Sequence, residues 1–153
     1  MEFTYLTDTY ADAMSRHESL RTTSIARLER LRPDHLEVVY HAGCVLTTAA
    51  LKEVATARRE LMGDQRYAML AILPGDTDFE VAAIEVDHLA QDRRDGLITA
   101  MAVVARANMI EMLLKLYFAH FPLLDHLLVT DKEDEARAWI RQRLEEMAGA
   151  SGT

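Results

Sequence analysis

Two stretches of this 153-residue chain are apolar without a polar break: "YAMLAIL" at 67–73 and "LITAMAVVA", which carries one threonine, at 97–105. A strand with one wet face alternates polar and apolar residues, and these do not. Bounded by turn residues, such runs read as strands covered on both faces. Strands of that kind belong to parallel sheets flanked by helices, because a parallel connection needs a long crossover, normally helical. The fold class follows from what lies between and around them.

Ahead of the first run, "SIARLERL" at 24–31 sets Ile25, Arg27, Glu29 and Leu31 against Ala26, Leu28 and Arg30, a strand with mixed faces. "RPD" makes a turn on Pro33, and "HLEVVYHAG" alternates Leu36, Val38 and Tyr40 against Glu37, Val39 and His41, so the pair forms a hairpin that Gly43 ends. "TTAALKEVATARRELMGD" is a helix capped by Thr47 or Thr48 and closed by Gly63. Its inward face is Leu51, Val54, Ala55, Arg58, Leu61 and Met62, with Arg58 the one charged member.

After the first apolar run, Asp76 or Asp78 caps a helix over roughly 79–91, with Phe79, Ala82, Ala83, Val86 and Leu89 or Ala90 inward. After the second, "NMIEMLLKLYFAHF" is a helix with Met109, Met112, Leu113, Leu116 and Tyr117 inward, stopped by Pro122. "HLLVTD" at 126–131 is the last strand. The final helix, "DKEDEARAWIRQRLEEMAG", is capped by Thr130 or Asp131 and faces the core with Ala136, Trp139, Ile140 and Leu144; its acids precede its bases, as the helix dipole favours. The order is β-β-α-β-α-β-α-β-α: an α/β fold with a mixed, mainly parallel sheet of about five strands, an N-terminal hairpin and four helices. Residues 1–22 form an extension, where Tyr5, Leu6, Tyr10, Met14 and His17 favour a helix over a loose tail; 23–147 form one domain, and 148–153 a tail.

The net charge of −8 disfavours nucleic acid and anionic lipid as partners, and Asp92 and Asp95 cancel the local Arg93–Arg94 pair. The one cysteine, Cys44, has no partner in the chain, which suits a reducing, cytoplasmic setting. The first residues, "MEFTYLTDTYADAM", are acidic and unlike a signal peptide. Arg106, Asn108, Glu111 and Lys115 interrupt the apolar region 97–118, so no membrane span is expected there.

This layout resembles the SpoIIAA-like STAS domains over roughly residues 24–147. The resemblance rests on "LEVVYHAGCVLTTAALKEVATARREL", on the apolar strand leading into the loop at 74, on "ITAMAVVARANMIEMLLKLYF", and above all on a closing strand followed by "TDKEDEARAWIRQRL". It implies an interaction module rather than an enzyme. In the anti-sigma-factor antagonists of that family, the strand-to-helix loop carries a phosphorylated serine or threonine preceded by Asp. That loop and its helix dock on a kinase-like partner. Other relatives are linked to lipid-like or nucleotide ligands.

The corresponding loop here is Pro74-Gly75-Asp76-Thr77-Asp78-Phe79, without the family's Asp-Ser-Ser-Gly or Asp-Thr-Ser-Gly run. Thr77 is its one hydroxyl. A phosphate there would sit near a helix N-terminus, which favours it, and between two carboxylates, which oppose it. A capping turn is the stronger reading, and Asp76, Thr77, Asp78 and Phe79 stand as the candidate interaction or switch loop. Asp76 and Asp78 are better read as caps than as an acid–base pair or a magnesium site. His120 and His126, with Asp125 adjacent, lack a cysteine or other fixed ligand, and the two read as ordinary histidines rather than a zinc site. His41 and Cys44 lack the surroundings of a nucleophilic pair, and no Gly-rich phosphate loop is present. No catalytic residue, metal or cofactor is expected.

Met101, Met109 and Met112 gather with bulky apolar neighbours around the helix 108–118, which carries more large apolar residues than one inward stripe needs. Met109, Met112, Leu113, Leu116 and Phe118 are therefore the candidate apolar interface or pocket. The first expectation is a non-enzymatic STAS-like domain that binds a protein partner or a second copy of itself as a homo-oligomer. The alternative is a module for a small apolar, lipid-like ligand held between helix 108–118 and the sheet.

Overall fold

The computed structural model describes residues 19–106, 108–122 and 126–151, with the side chains of 108, 109, 150 and 151 outside that description. Residues 1–18 of the expected extension therefore lie outside the described residues. So do Asp125 and the side chain of Met109.

Six strands build the main sheet. They are β1 (Leu20–Thr22), β2 (Ala26–Arg32), β3 (His35–Tyr40), β5 (Tyr67–Leu73), β7 (Ile98–Ala105) and β8 (Leu127–Thr130), in the spatial order β1-β2-β3-β5-β7-β8. The first three pair antiparallel. From β3 onward every pairing is parallel. The two apolar runs are neighbours, in register from Ala68 opposite Ala100 to Leu73 opposite Ala105, at the middle of the sheet. All of β5 except Ile72 and all of β7 except Thr99 are buried. Both outer edges are short, which limits open strand edge.

The sheet is six-stranded because Leu20–Thr22, within the expected extension, pairs with Thr22 opposite Arg27 as an added edge strand. A further pair, β4 (Val45–Leu46) and β6 (Asp78–Phe79), forms a separate two-stranded parallel ribbon.

The faces are covered unequally. On one side, α5 (Glu133–Ser151) lays Ala136, Ile140 and Leu144 on Ala68, Leu70, Ala100, Ala102 and Val104. Alanines on the two central strands let this helix lie close to the sheet. The helix runs on to Ser151, through residues expected to be tail. On the other side, α1 (Thr48–Met62) and α4 (Asn108–His120) pack on Leu28, Val38, Met69, Ala71, Met101 and Val103. Thr47 caps α1, its hydroxyl accepting from Ala50 N–H at 3.0 Å, and Gly63 (φ 54) ends it. The buried face of α1 is rotated slightly from the expected one, with Ala50 and Ala57 in place of Leu51 and Ala55.

The largest departure is at 79–91, where one helix was expected. Phe79 is in β6, and two short helices follow, α2 (Val81–Ile84) and α3 (Ala90–Asp95). The Asp87 carboxylate accepts from Leu89 N–H at 3.2 Å, a local turn that competes with helix continuation. Neither Asp76 nor Asp78 caps a helix: Glu80 stands at the start of α2 and makes no side-chain cap bond. Asp78 instead accepts from Phe79 N–H beside it. Val86 and Ala82, expected inward, are exposed. On α4, Met112 and Leu116 point outward, 60% and 64% exposed, because the helix buries the stripe holding Ile110 and Phe118 instead.

Candidate functional site

The broken crossover leaves room beneath it. A continuous helix would lie along the sheet between α1 and α4. Two short helices span the gap without filling it, and a cavity of about 140 Å³ remains. Its floor is the sheet: Val38, Tyr40, Met69, Ala71, Met101 and Val103. Leu51, Val54 and Arg58 of α1 form one wall, and Leu113, Leu114, Tyr117 and Phe118 of α4 the other. The 79–89 segment roofs it with Phe79, Ala83, Ile84, His88 and Leu89. The floor follows from strand periodicity, since alternate residues of β3, β5 and β7 face this side.

The roof is held at three points. Arg58 reaches from α1 to α3 and donates to both carboxylate oxygens of Asp92, at 2.9 and 3.1 Å, with both side chains buried. Burial opposes the charge on Arg58, but Tyr67 and Asp92 outweigh it, so its pKa is raised. Tyr117 of α4 donates to the Val86 carbonyl at 2.7 Å and accepts from His88 N–H at 2.9 Å. Arg93 pairs with Asp87 and donates to the Pro122 carbonyl. Asp92 therefore does not offset the Arg93–Arg94 pair, as the sequence suggested; its charge is turned inward to Arg58.

The expected switch loop, Asp76 to Phe79, is held by backbone hydrogen bonds. The β4–β6 ribbon pins it to the segment just ahead of α1, with Asp78 N–H donating to the Cys44 carbonyl at 3.0 Å and Glu80 N–H to the Leu46 carbonyl at 3.1 Å. Thr77 is buried and donates its hydroxyl to the Pro74 carbonyl at 2.7 Å. The Cys44 thiol lies 3.8 Å from that hydroxyl, and burial pushes its pKa up, away from a reactive thiolate. Asp76 and Asp78 are exposed, while Phe79 turns into the cavity.

Of the expected apolar cluster, Leu113 and Phe118 line the cavity, and Met112 and Leu116 lie outside it. Tyr40, Val38, Ala71, Val103 and Tyr117 belong to the site and were not singled out for it. Strand alternation would have placed the first four on one face; their shared cavity depends on the broken helix above them. Among the described residues, no group of three or more His, Cys, Asp and Glu side chains is placed to hold a metal ion, and no helix is long and apolar enough to cross a membrane.

No family model matches the chain, and no curated protein sequence does. Among solved structures, it is similar to an uncharacterised protein of the DUF3478 family, with a SpoIIAA-like fold, from Shewanella loihica. The TM-score is 0.53 at 16% identity, over 78% of this chain and 96% of that one. The chain thus has a SpoIIAA-like fold, as the order of its elements suggested.

Proposed function

We propose that this SpoIIAA-like fold serves as a non-enzymatic module that binds a small apolar molecule between α1, α4 and the sheet. One observation carries the proposal: a cavity of about 140 Å³ walled almost wholly by Leu, Val, Met, Ala and aromatic side chains. Protein interiors are close-packed, and a void of this size forfeits contacts on every side. Water gains little there, because Arg58, His88 and Tyr117 are already engaged within the protein and a well-held water needs two or more polar partners, whereas an apolar cavity near 150 Å³ stays dry and admits a benzene-sized guest. Native mass spectrometry of protein purified gently from its own cells, with solvent extraction of whatever it carries, tests this. A co-purifying apolar compound, displaced by added toluene, is the expected result. Protein that carries nothing and does not take up toluene counts against it.

Self-association is a second reading, favoured by Met112 and Leu116, which lie one turn apart on α4 and are both largely exposed. Sedimentation of wild type and Met112→Glu decides it: a dimer that the substitution dissociates supports it, and a monomer in both rejects it.

A further inference from the structure

Four polar side chains line the cavity: Tyr40, Arg58, His88 and Tyr117. Three are engaged within the protein. Arg58 is held by both oxygens of Asp92. Tyr117 bridges Val86 and the His88 backbone. His88 Nε2 lies 2.6 Å from the Ala83 carbonyl, to which it donates. Tyr40 differs. It follows Leu36 and Val38 on the face of β3 that packs toward α1, and among the described residues its hydroxyl has no hydrogen-bond partner. Tyr40 is half-buried, and an acceptor on a guest in the cavity would give its hydroxyl a partner, so a guest that supplies one binds better than a guest that does not.

We propose that Tyr40 is the specificity-determining residue of this cavity, and that the occupant is a small neutral molecule with an apolar body and one hydrogen-bond acceptor, a hydroxyl, carbonyl or ether oxygen, to which Tyr40 donates. This rests on the apolar-ligand reading above and narrows it. Burial pushes the Tyr40 phenol up to about 12, against the opposing pull of Arg58, so it remains a donor at neutral pH. A carboxylate is disfavoured: the one cation in the wall, Arg58, is already neutralised by Asp92, and an anion would lose its water without gaining a counter-charge. The volume limits the buried part of the guest to about one ring or a chain of similar bulk.

Calorimetric titration of the full chain at neutral pH with toluene, p-cresol and p-toluate tests the assignment, since the three share one shape and differ in one group. Wild type is expected to bind p-cresol about fivefold more tightly than toluene, the worth of one net hydrogen bond, and p-toluate more weakly than p-cresol. Tyr40→Phe keeps the ring and removes the hydroxyl; it is expected to bind toluene as wild type does and to lose the preference for p-cresol. Toluene binding with no preference for p-cresol, a preference that survives in Tyr40→Phe, or tightest binding of p-toluate would each overturn the role of Tyr40 and leave the apolar-ligand reading standing. If neither toluene nor p-cresol binds wild type, both fall. Should Tyr40→Phe not fold, the ranking of the three probes on wild type still decides.

Discussion

Arg58 and Asp92 stand 34 positions apart and meet in the core, where neither charge has access to water. Such a pair stabilises little relative to an apolar substitute, but removing one member leaves the other buried and unpaired. Asp92→Ala is therefore expected to cost about 3–5 kcal/mol in urea unfolding, and the double variant Arg58→Met with Asp92→Leu to recover most of it. A small loss in Asp92→Ala would mean that the roof does not depend on this pair. His35 gives a pH dependence. Burial holds its pKa below the ordinary 6.5, outweighing Glu37 and Asp34, and among the described residues its Nε2 is buried without a partner. The unfolded chain thus takes up the proton first. The stability conferred is present above 6.5 and is lost as pH falls from there through the lowered folded value. Thermal melts across that range are expected to show a shallower acid decline in His35→Gln than in wild type.

At the scale of elements, α5 covers one face of the two central strands. Ile140 is 1% exposed and sits over Ala and Val side chains with little freedom to collapse. Ile140→Ala is expected to lower stability by about 2–5 kcal/mol, against well under 1 kcal/mol for Met112→Ala on the solvent side of α4, both read from denaturant midpoints. Comparable losses would mean that α4 and not α5 carries the core. The central strands were legible in the sequence because their residues are apolar on both faces, a pattern a strand shows only when covered twice. The crossover at 79–91 was not. Its apolar spacing fits a helix, and what breaks it is a contest between Asp87 as a turn former and the helix ladder, with Asp92 drawn inward by an arginine on another element. The lone charge on the inward face of α1 did hint that Arg58 needed a buried carboxylate, but periodicity names no partner.

For the molecule as a whole, the cavity exists because one crossover fails to fill the space its neighbours frame. Leu113 and Phe118 were readable as surplus apolar residues, whereas Tyr40 and Ala71 come to the site through sheet pairing between strands far apart in the chain. Ala71 lies on the floor and is 3% exposed. Ala71→Leu adds three carbons into the void, so it is expected to abolish toluene binding with stability unchanged or raised by up to about 1 kcal/mol, where a packed core would lose about 1–3 kcal/mol. The most direct measurement is a methyl NMR titration with toluene. Shifts concentrated on Val38, Val54, Val103 and Leu113, with Ile140 and Leu144 across the sheet unmoved, are the predicted result. No saturable shifts, or shifts confined to exposed Met112 and Leu116, would contradict a binding cavity beneath the broken crossover.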